Sequence, residues 1–266
     1  MTVALNYCIL ATTVMAGKII VFANQKGGVG KTTSAANLGA YMAVSGRRIL
    51  LIDFDPQGNL TSSVGADGKR PGIYEVLSGK LPIRDSIQET PVPNLRVIAS
   101  NIDLTGANVE LIEEENREFF LRRLLEPIVS DWDYILIDCP PSLGLLTING
   151  LVAADHVFIP LQCEYFALEG LSLLLKTIQR IQHSTNPKLT VGGIIFTMYD
   201  SRTRLAREVV EEVTGYFKDK VFRTIIPRNV RLSEAPSHGR PINLYDAESI
   251  GARSYQKLSE EVLNRV

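Results

Sequence analysis

The chain has 266 residues, 45% of them hydrophobic and 21% charged, with 20 Gly, 13 Pro and 3 Cys. Composition this close to the average of folded proteins excludes a disordered, collagen-like or low-complexity chain, and the length fits one large domain or two small ones. Lys plus Arg is 28 against 29 Asp plus Glu, a formal net charge of -1, which argues against a nucleic-acid binder with an overall basic footprint. That average hides a division. Residues 1–175 hold 13 basic against 19 acidic side chains, a net of -6, and residues 176–240 hold 12 against 6, a net of +6. An acidic front and a basic back raise the question of an anionic partner.

From the start of the chain, Met1 to Val14 are mildly apolar and carry no Lys or Arg, so they lack the basic start of a secretory signal. Residues 1–16 read as an N-terminal extension, disordered or preceding a true start at Met15. Cys8, Cys139 and Cys163 form no CxxC or Cys/His pattern. That supports neither a disulfide framework nor a zinc site and makes a reduced, cytoplasmic setting the default. No apolar run reaches the ~18 residues of a membrane span.

Apolar runs of strand length then recur at Lys18–Ala23, Arg48–Asp53, Leu95–Ala99, Tyr134–Asp138, His156–Pro160 and Thr190–Thr197, with a shorter one at Val221–Ile226. They are continuous rather than alternating, as expected of strands buried on both faces of a parallel sheet. Helical patterns lie between them at Thr32–Ser45, Asn116–Ser130, Leu143–Ala153, Leu168–His183, Thr203–Phe217 and Glu248–Asn264. This alternation predicts a doubly wound α/β fold, with a mostly parallel central sheet and helices on both faces. No linker is long enough to divide residues 17–266, which read as one domain. Sheets of this kind bind ligands beyond the carboxyl ends of their strands.

The first strand leads into Asn24-Gln25-Lys26-Gly27-Gly28-Val29-Gly30-Lys31-Thr32-Thr33 and then a helix. A phosphate cradle needs glycines that let successive N–H groups point at a polyanion, with a helix N-terminus behind them. It also needs a lysine for the β/γ oxygens and a hydroxyl for Mg²⁺, which Gly30-Lys31-Thr32 supplies in order. The usual pattern has Gly five residues before Gly30. Here Gln25 stands there and a second lysine, Lys26, opens the loop. A string K-G-G-x-G-K-[ST]-[ST] arises by chance on the order of 10⁻⁸ per position, so a mere Gly-rich turn is excluded.

This loop resembles the deviant Walker A of the ParA/MinD group of P-loop ATPases. The resemblance runs from Lys18 to the C-terminus, and its details match the ParA/Soj chromosome-partitioning branch. It implies ATP and Mg²⁺ bound by Lys26, Gly27, Gly28, Val29, Gly30, Lys31, Thr32 and Thr33. Lys31 would grip the β/γ-phosphate in cis and Thr32 would ligate Mg²⁺ directly. Lys26 would reach across an ATP-sandwich homodimer to the partner's phosphates. A cation delivered in trans acts as an arginine finger does, stabilising charge at the γ-phosphate only when two subunits meet.

The second strand ends in Asp53-Phe54-Asp55-Pro56-Gln57-Gly58-Asn59. Alone, two such acids read as a turn cap; beside a phosphate loop, in-line attack needs an acceptor to orient water. The segment resembles the family's switch I, in which Asp55 would position the water and Asp53 would support Mg²⁺ or the loop from behind. Tyr134 to Ile137 ends in Asp138-Cys139-Pro140-Pro141-Ser142, the Walker B arrangement of a carboxylate near Mg²⁺. It resembles switch II, with Asp138 acting through water and Cys139 a bystander.

After the last short strand comes Ile226-Pro227-Arg228-Asn229-Val230-Arg231. In resembling proteins the positions of Pro227 and Asn229 contact the base, and Met198 is expected to pack beside it. Arginines cluster at 202, 204, 207, 223, 228, 231 and 240. A solvated helix face balanced by Glu208, Glu211 and Glu212 accounts for part of the cluster, yet Asp200 to Arg204 and Arg228 to Arg231 have no adjacent acid run. The resemblance implies that Arg202 and Arg231 contribute to nonspecific binding of double-stranded DNA by the dimer, through salt-sensitive phosphate contacts.

The resemblance thus implies a slow Mg·ATP-dependent partition ATPase, stimulated by a ParB-like centromere-binding protein, cytoplasmic and nucleoid-associated. A MinD-like membrane-associated positioning ATPase shares the loop and both switches but needs a basic amphipathic C-terminal helix. Here Glu260 and Glu261 oppose an anionic bilayer, and Ile250, Leu258 and Val262 read as core contacts, so no stable membrane association is expected. A metabolic amide ligase would need a small-molecule pocket. A scaffold with a relic loop has no use for two intact carboxylate switches.

Overall fold

Seven strands share one sheet in the computed structural model, which describes residues 17–164 and 167–266. The expected extension at residues 1–16 lies outside the described residues. The strands are β1 (Lys18–Phe22), β2 (Ile49–Asp53), β3 (Ile87–Glu89), β4 (Leu95–Ile98), β5 (Tyr134–Asp138), β6 (His156–Gln162) and β7 (Thr190–Thr197). Their spatial order is β3-β4-β2-β5-β1-β6-β7. Every pairing is parallel except the antiparallel edge pair β3–β4.

Alternate residues of each central strand feed opposite cores, which is why the runs are apolar throughout. Ile19, Val21, Leu50 and Ile52 join one core with the helices Leu145–Ala153, Ala167–Ser184 and Arg204–Phe217. Ile20, Phe22, Ile49 and Leu51 join the other, beneath the helices Lys31–Val44 and Ile250–Arg265. The doubly wound, mostly parallel α/β sheet is therefore as expected. Its six main strands and these five helices fall within two residues of their expected bounds.

Three local expectations fail, each for a backbone reason. Val221–Ile226 is not a strand: it makes one isolated bridge, Val221 to Ile194, although Phe222 N and Ile226 N still donate to Ile194 O and Phe196 O of β7 at 3.0 and 2.9 Å. Two of its amides are diverted: Arg223 N and Thr224 N donate to the Glu261 carboxylate at 2.8 and 3.0 Å. The expected helix Asn116–Ser130 is α-helical only over Phe120–Leu125, flanked by 3₁₀ turns. Asn116 opens it in the left-handed region at φ 56, and Pro127 lacks the N–H to continue it. Ile250, expected in the core, is 59% exposed at the first position of its helix, whereas Leu258 and Val262 are fully buried as expected. The edge strand β3 escapes notice because its three residues carry no apolar run. Among the described residues no helix is long and apolar enough to cross a membrane.

Sheet and C-terminal layers meet closely at Gly193 on β7. A Cβ there would enter the ring of Phe222, which itself packs edge-on against Phe158 with centroids 5.1 Å apart. Gly193→Val is expected to overpack this contact and cost about 1–3 kcal/mol. Urea denaturation should show a lower midpoint at unchanged slope; an unchanged midpoint would show that Phe222 has room to swing away.

Candidate functional site

The loop between β1 and the helix Lys31–Val44 is shaped by Gly28 and Gly30, both left-handed at φ 71 and 84. At Gly28 a Cβ would meet nothing within 4 Å, so the loop opens onto space there. The helix begins with Gly30 as its N-cap and no capping side chain, leaving its first amides available to an anion. Neighbouring strand ends hold the loop: Asn24 Nδ2 donates to Pro160 O at 2.8 Å, and Thr197 Oγ1 donates to Val29 O at 2.8 Å. The Lys31 side chain turns back over the loop, its Nζ 3.4 Å from Lys26 O. Burial pulls this ammonium below its usual range, while the charges of Asp138 and Asp55 pull it back up.

Register sets the two strand-end acids side by side, since Asp53 on β2 pairs with Asp138 on β5, and both are fully buried. Their surroundings differ. Asp53 is saturated: it accepts from Thr61 N and Thr61 Oγ1, both at 2.7 Å, and from Asp55 N at 3.3 Å. Burial pushes its carboxyl up to about 6, against the pull of those donors. Thr61 Oγ1 in turn accepts from Ser100 N at 2.9 Å, so Asp53 is linked through Thr61 to the segment after β4. Asp138 accepts one hydrogen bond, from Thr32 Oγ1 at 2.6 Å, while its Oδ1 is buried with no partner among the described residues. Burial, then the charge of Asp53, hold this carboxyl well above the usual range.

An orphaned buried carboxylate oxygen beside a hydroxyl is a place for a hard cation. Among the described residues no cluster of three or more His, Cys, Asp and Glu could hold a metal by itself. A cation here would complete its shell with water and phosphate oxygens, as Mg²⁺ commonly does. Asp55 is nearly buried and its Oδ1 accepts from Gln57 N at 3.0 Å, which closes the turn after β2. Cys139 is a packing residue, since a Cβ at Gly150 would press on its Sγ at 2.7 Å.

A cavity of about 170 Å³ lies between Gly30 and the loop after residue 226. Met198, Pro227 and Asn229 line it together, so the three expected base-side residues are neighbours. Met198 holds φ 50, a costly conformation for a non-glycine residue and one found disproportionately at ligand clamps. Asn229 Oδ1 is buried without a partner among the described residues, an acceptor suited to an amino group. Sequence reasoning missed Leu232 and Tyr255 here; Tyr255 lies within hydrogen-bond distance of Ser34 at 3.1 Å. Neither carries a signal beyond its place in an apolar helical face.

Lys26 is not turned into its own loop. Its ammonium pairs with Glu164, just after β6, and both side chains are about half exposed. The arginines expected to face DNA are not bare. Arg202 pairs with Asp200, and Arg231 with Glu234 and Asp246, so the absence of an adjacent acid run does not mean an absence of partner acids.

A family model described as an AAA domain matches residues 17–191. The chromosome-partitioning ATPase Soj of Treponema pallidum is 61% identical over 249 residues, covering 94% of this chain and 98% of that protein. The chromosome partitioning protein ParA of Myxococcus xanthus is 55% identical over 251 residues, covering 94% of this chain and 89% of that protein. Among solved structures, a cobyrinic acid a,c-diamide synthase of Mycobacterium smegmatis with bound ADP and magnesium superposes with a TM-score of 0.82. It is 39% identical, covering 93% of this chain and 94% of that one.

Thr61→Val removes the hydroxyl that serves both Asp53 and Ser100. A loss of about 1–3 kcal/mol is expected from the stranded buried groups. Asp53 already binds its proton more tightly folded than unfolded, so its contribution to stability falls as pH rises from 3.8 to about 6 and is flat above. Losing a donor raises the folded value further, so the loss should be larger at pH 7.5 than at pH 5 in urea titrations of the nucleotide-free protein. An equal loss at both pH values would contradict this role.

Proposed function

The chain belongs to the Soj/ParA family of chromosome-partitioning ATPases, and on that footing we propose that it is a Mg·ATP-dependent partition ATPase. ATP joins two copies, and the pair binds double-stranded DNA without reading its sequence. A ParB-like centromere-binding protein stimulates an otherwise slow hydrolysis, which ends the bound state. The observation that carries the ATPase reading is the Thr32–Asp138 pair at the mouth of the glycine loop, with its orphaned buried Asp138 oxygen.

Each residue then has a task. The amides from Gly27 to Thr33 cradle phosphate oxygens at the helix N-terminus, and Lys31 places its charge on the β and γ groups. Thr32 would hold Mg²⁺ directly and Asp138 through water. When bound, the ion supplies positive charge that offsets the negative charge on the phosphate oxygens. Asp53 keeps the switch loop in place through Thr61. Asp55 orients water for in-line attack on the γ-phosphorus; its Oδ1 closes a turn, while its Oδ2 takes no partner among the described residues. Asn229 accepts from the adenine amino group between Pro227 and Met198. Lys26 waits on Glu164 and exchanges that carboxylate for the partner copy's phosphates on pairing, so full charge stabilisation exists only in the dimer.

With Leu258 and Val262 buried, Ile250 is an isolated exposed apolar residue on the C-terminal helix rather than part of an apolar face for a bilayer, which favours DNA over a membrane as the surface the dimer meets. Asp55→Ala should slow phosphate release by about 10²–10⁴-fold and leave an ATP-linked dimer that survives a sizing column. Prompt ADP formation by that variant would sink the water-positioning role. Lys26→Ala should bind ATP yet stay monomeric, and an ATP-dependent dimer of it would refute the contact in trans.

A further inference from the structure

The basic region is less free than its composition suggests. Arg202 donates Nε to Asp200 Oδ1 at 2.9 Å and Nη2 to Oδ2 at 2.6 Å, a two-pronged pair of the kind a phosphate would otherwise receive. Arg231 donates Nη1 to Glu234 at 2.9 Å and lies 3.3 Å from Asp246. Arg204 is likewise taken by Glu208 at 2.6 Å.

Arg228, like Arg207, Arg223 and Arg240, is exposed with a guanidinium that has no hydrogen bond or ion pair among the described residues. The backbone puts it at the centre of the cluster. Tyr199 N donates to Ile226 O and Arg228 N donates to Tyr199 O, both at 3.1 Å, so Tyr199 lies alongside Ile226–Arg228. Arg228 therefore stands beside the strand end that leads into the Asp200–Arg202 turn, and three residues ahead of Arg231, just outside the short helix Val230–Glu234. Its charge adds to the larger effect of Arg202 in holding the Asp200 carboxyl below its usual range.

We propose that the DNA-phosphate surface centres on Arg228, a cation with no ion pair of its own that the backbone sets between the Asp200–Arg202 turn and Arg231, and that Arg202 and Arg231 join it by exchanging Asp200 and Glu234/Asp246 for phosphate. This rests on the nonspecific DNA binding proposed above. The exchange is feasible because these pairs are open to water: the Arg202 side chain is 85% exposed, and exposed pairs hold weakly. Asp200 then acts as a built-in competitor that keeps the single copy's affinity for DNA low.

The test is DNA binding by the ATP-loaded protein across a salt series, followed by anisotropy of a labelled duplex of arbitrary sequence. Each lost phosphate contact should reduce the slope of log K against log salt by about 0.9. Arg228→Gln is expected to weaken binding several-fold and flatten the slope by about 0.9 per protomer. Asp200→Asn keeps an acceptor for the turn while releasing Arg202, so it should bind more tightly than the unsubstituted protein and with a steeper slope. Lys80→Gln loses the same charge near the opposite sheet edge, beside β3, and should leave the slope unchanged. Because Arg228 neighbours the base pocket, ATP loading is measured in the same samples, and Asp200→Asn provides a gain of binding that damage to that pocket could not mimic. An unchanged slope for Arg228→Gln, or no tighter binding by Asp200→Asn, overturns the assignment while the partition reading stands. A wild-type protein that binds no DNA with ATP overturns both.

Discussion

Two carboxylates buried side by side set the terms for the rest of the molecule. Parallel register between β2 and β5 brings Asp53 and Asp138 together where neither has exposed surface, and burying negative charge without partners is costly. The chain treats the two acids unequally. Asp53 is satisfied by donors from the segment that follows it, Asp55 N and the amide and hydroxyl of Thr61. Asp138 is given one hydroxyl, the nearby charge of Lys31 and an oxygen with nothing to bind. The fold thus carries an unmet demand for positive charge, and it lies where a glycine loop and a helix N-terminus await an anion. A divalent cation travelling with a polyphosphate answers both demands at once.

The same sheet order explains how one small site senses so much. The phosphate loop is tied to the ends of β6 and β7 through Pro160 and Thr197, while Phe54 N donates to Asp138 O at 2.9 Å to link the two acidic strand ends. Lys26, held by Glu164 just past β6, sits outside the site it would serve in a partner copy. The phosphate loop, the two acidic strand ends and the Lys26–Glu164 pair are therefore one connected set of backbone segments at the carboxyl edge of the sheet.

The parts legible in the sequence are those whose chemistry is local. Gly30-Lys31-Thr32 must be contiguous to work, and strands buried on both faces must be apolar throughout, so the loop, both acidic strand ends and six strands could be read directly. Pairings between distant segments could not. Thr61 on Asp53, Glu164 on Lys26 and Tyr255 beside Ser34 join residues 8, 138 and 221 positions apart, and no periodicity signals them. Val221–Ile226 reads as a strand because its side chains suit one, while two of its amides, Arg223 N and Thr224 N, are claimed by Glu261. The arginines misled in a similar way: Asp246, 15 residues from Arg231, is close only in the folded chain.

The near-neutral net charge takes on a different meaning once those pairings are known. A surplus of +6 over residues 176–240 is partly masked by carboxylates in place, which suits a surface engaged only when two copies come together. All of this depends on the demand at Asp138 being real. The most direct measurement is binding of a fluorescent ATP analogue with and without Mg²⁺, for the unsubstituted chain and for Asp138→Asn, a near-isosteric change that removes the charge. Mg²⁺ should tighten binding to the unsubstituted chain by at least about tenfold, and that gain should vanish in Asp138→Asn. An equal Mg²⁺ effect in both proteins would contradict the assignment of the orphaned Asp138 carboxylate as the group that makes nucleotide binding depend on Mg²⁺.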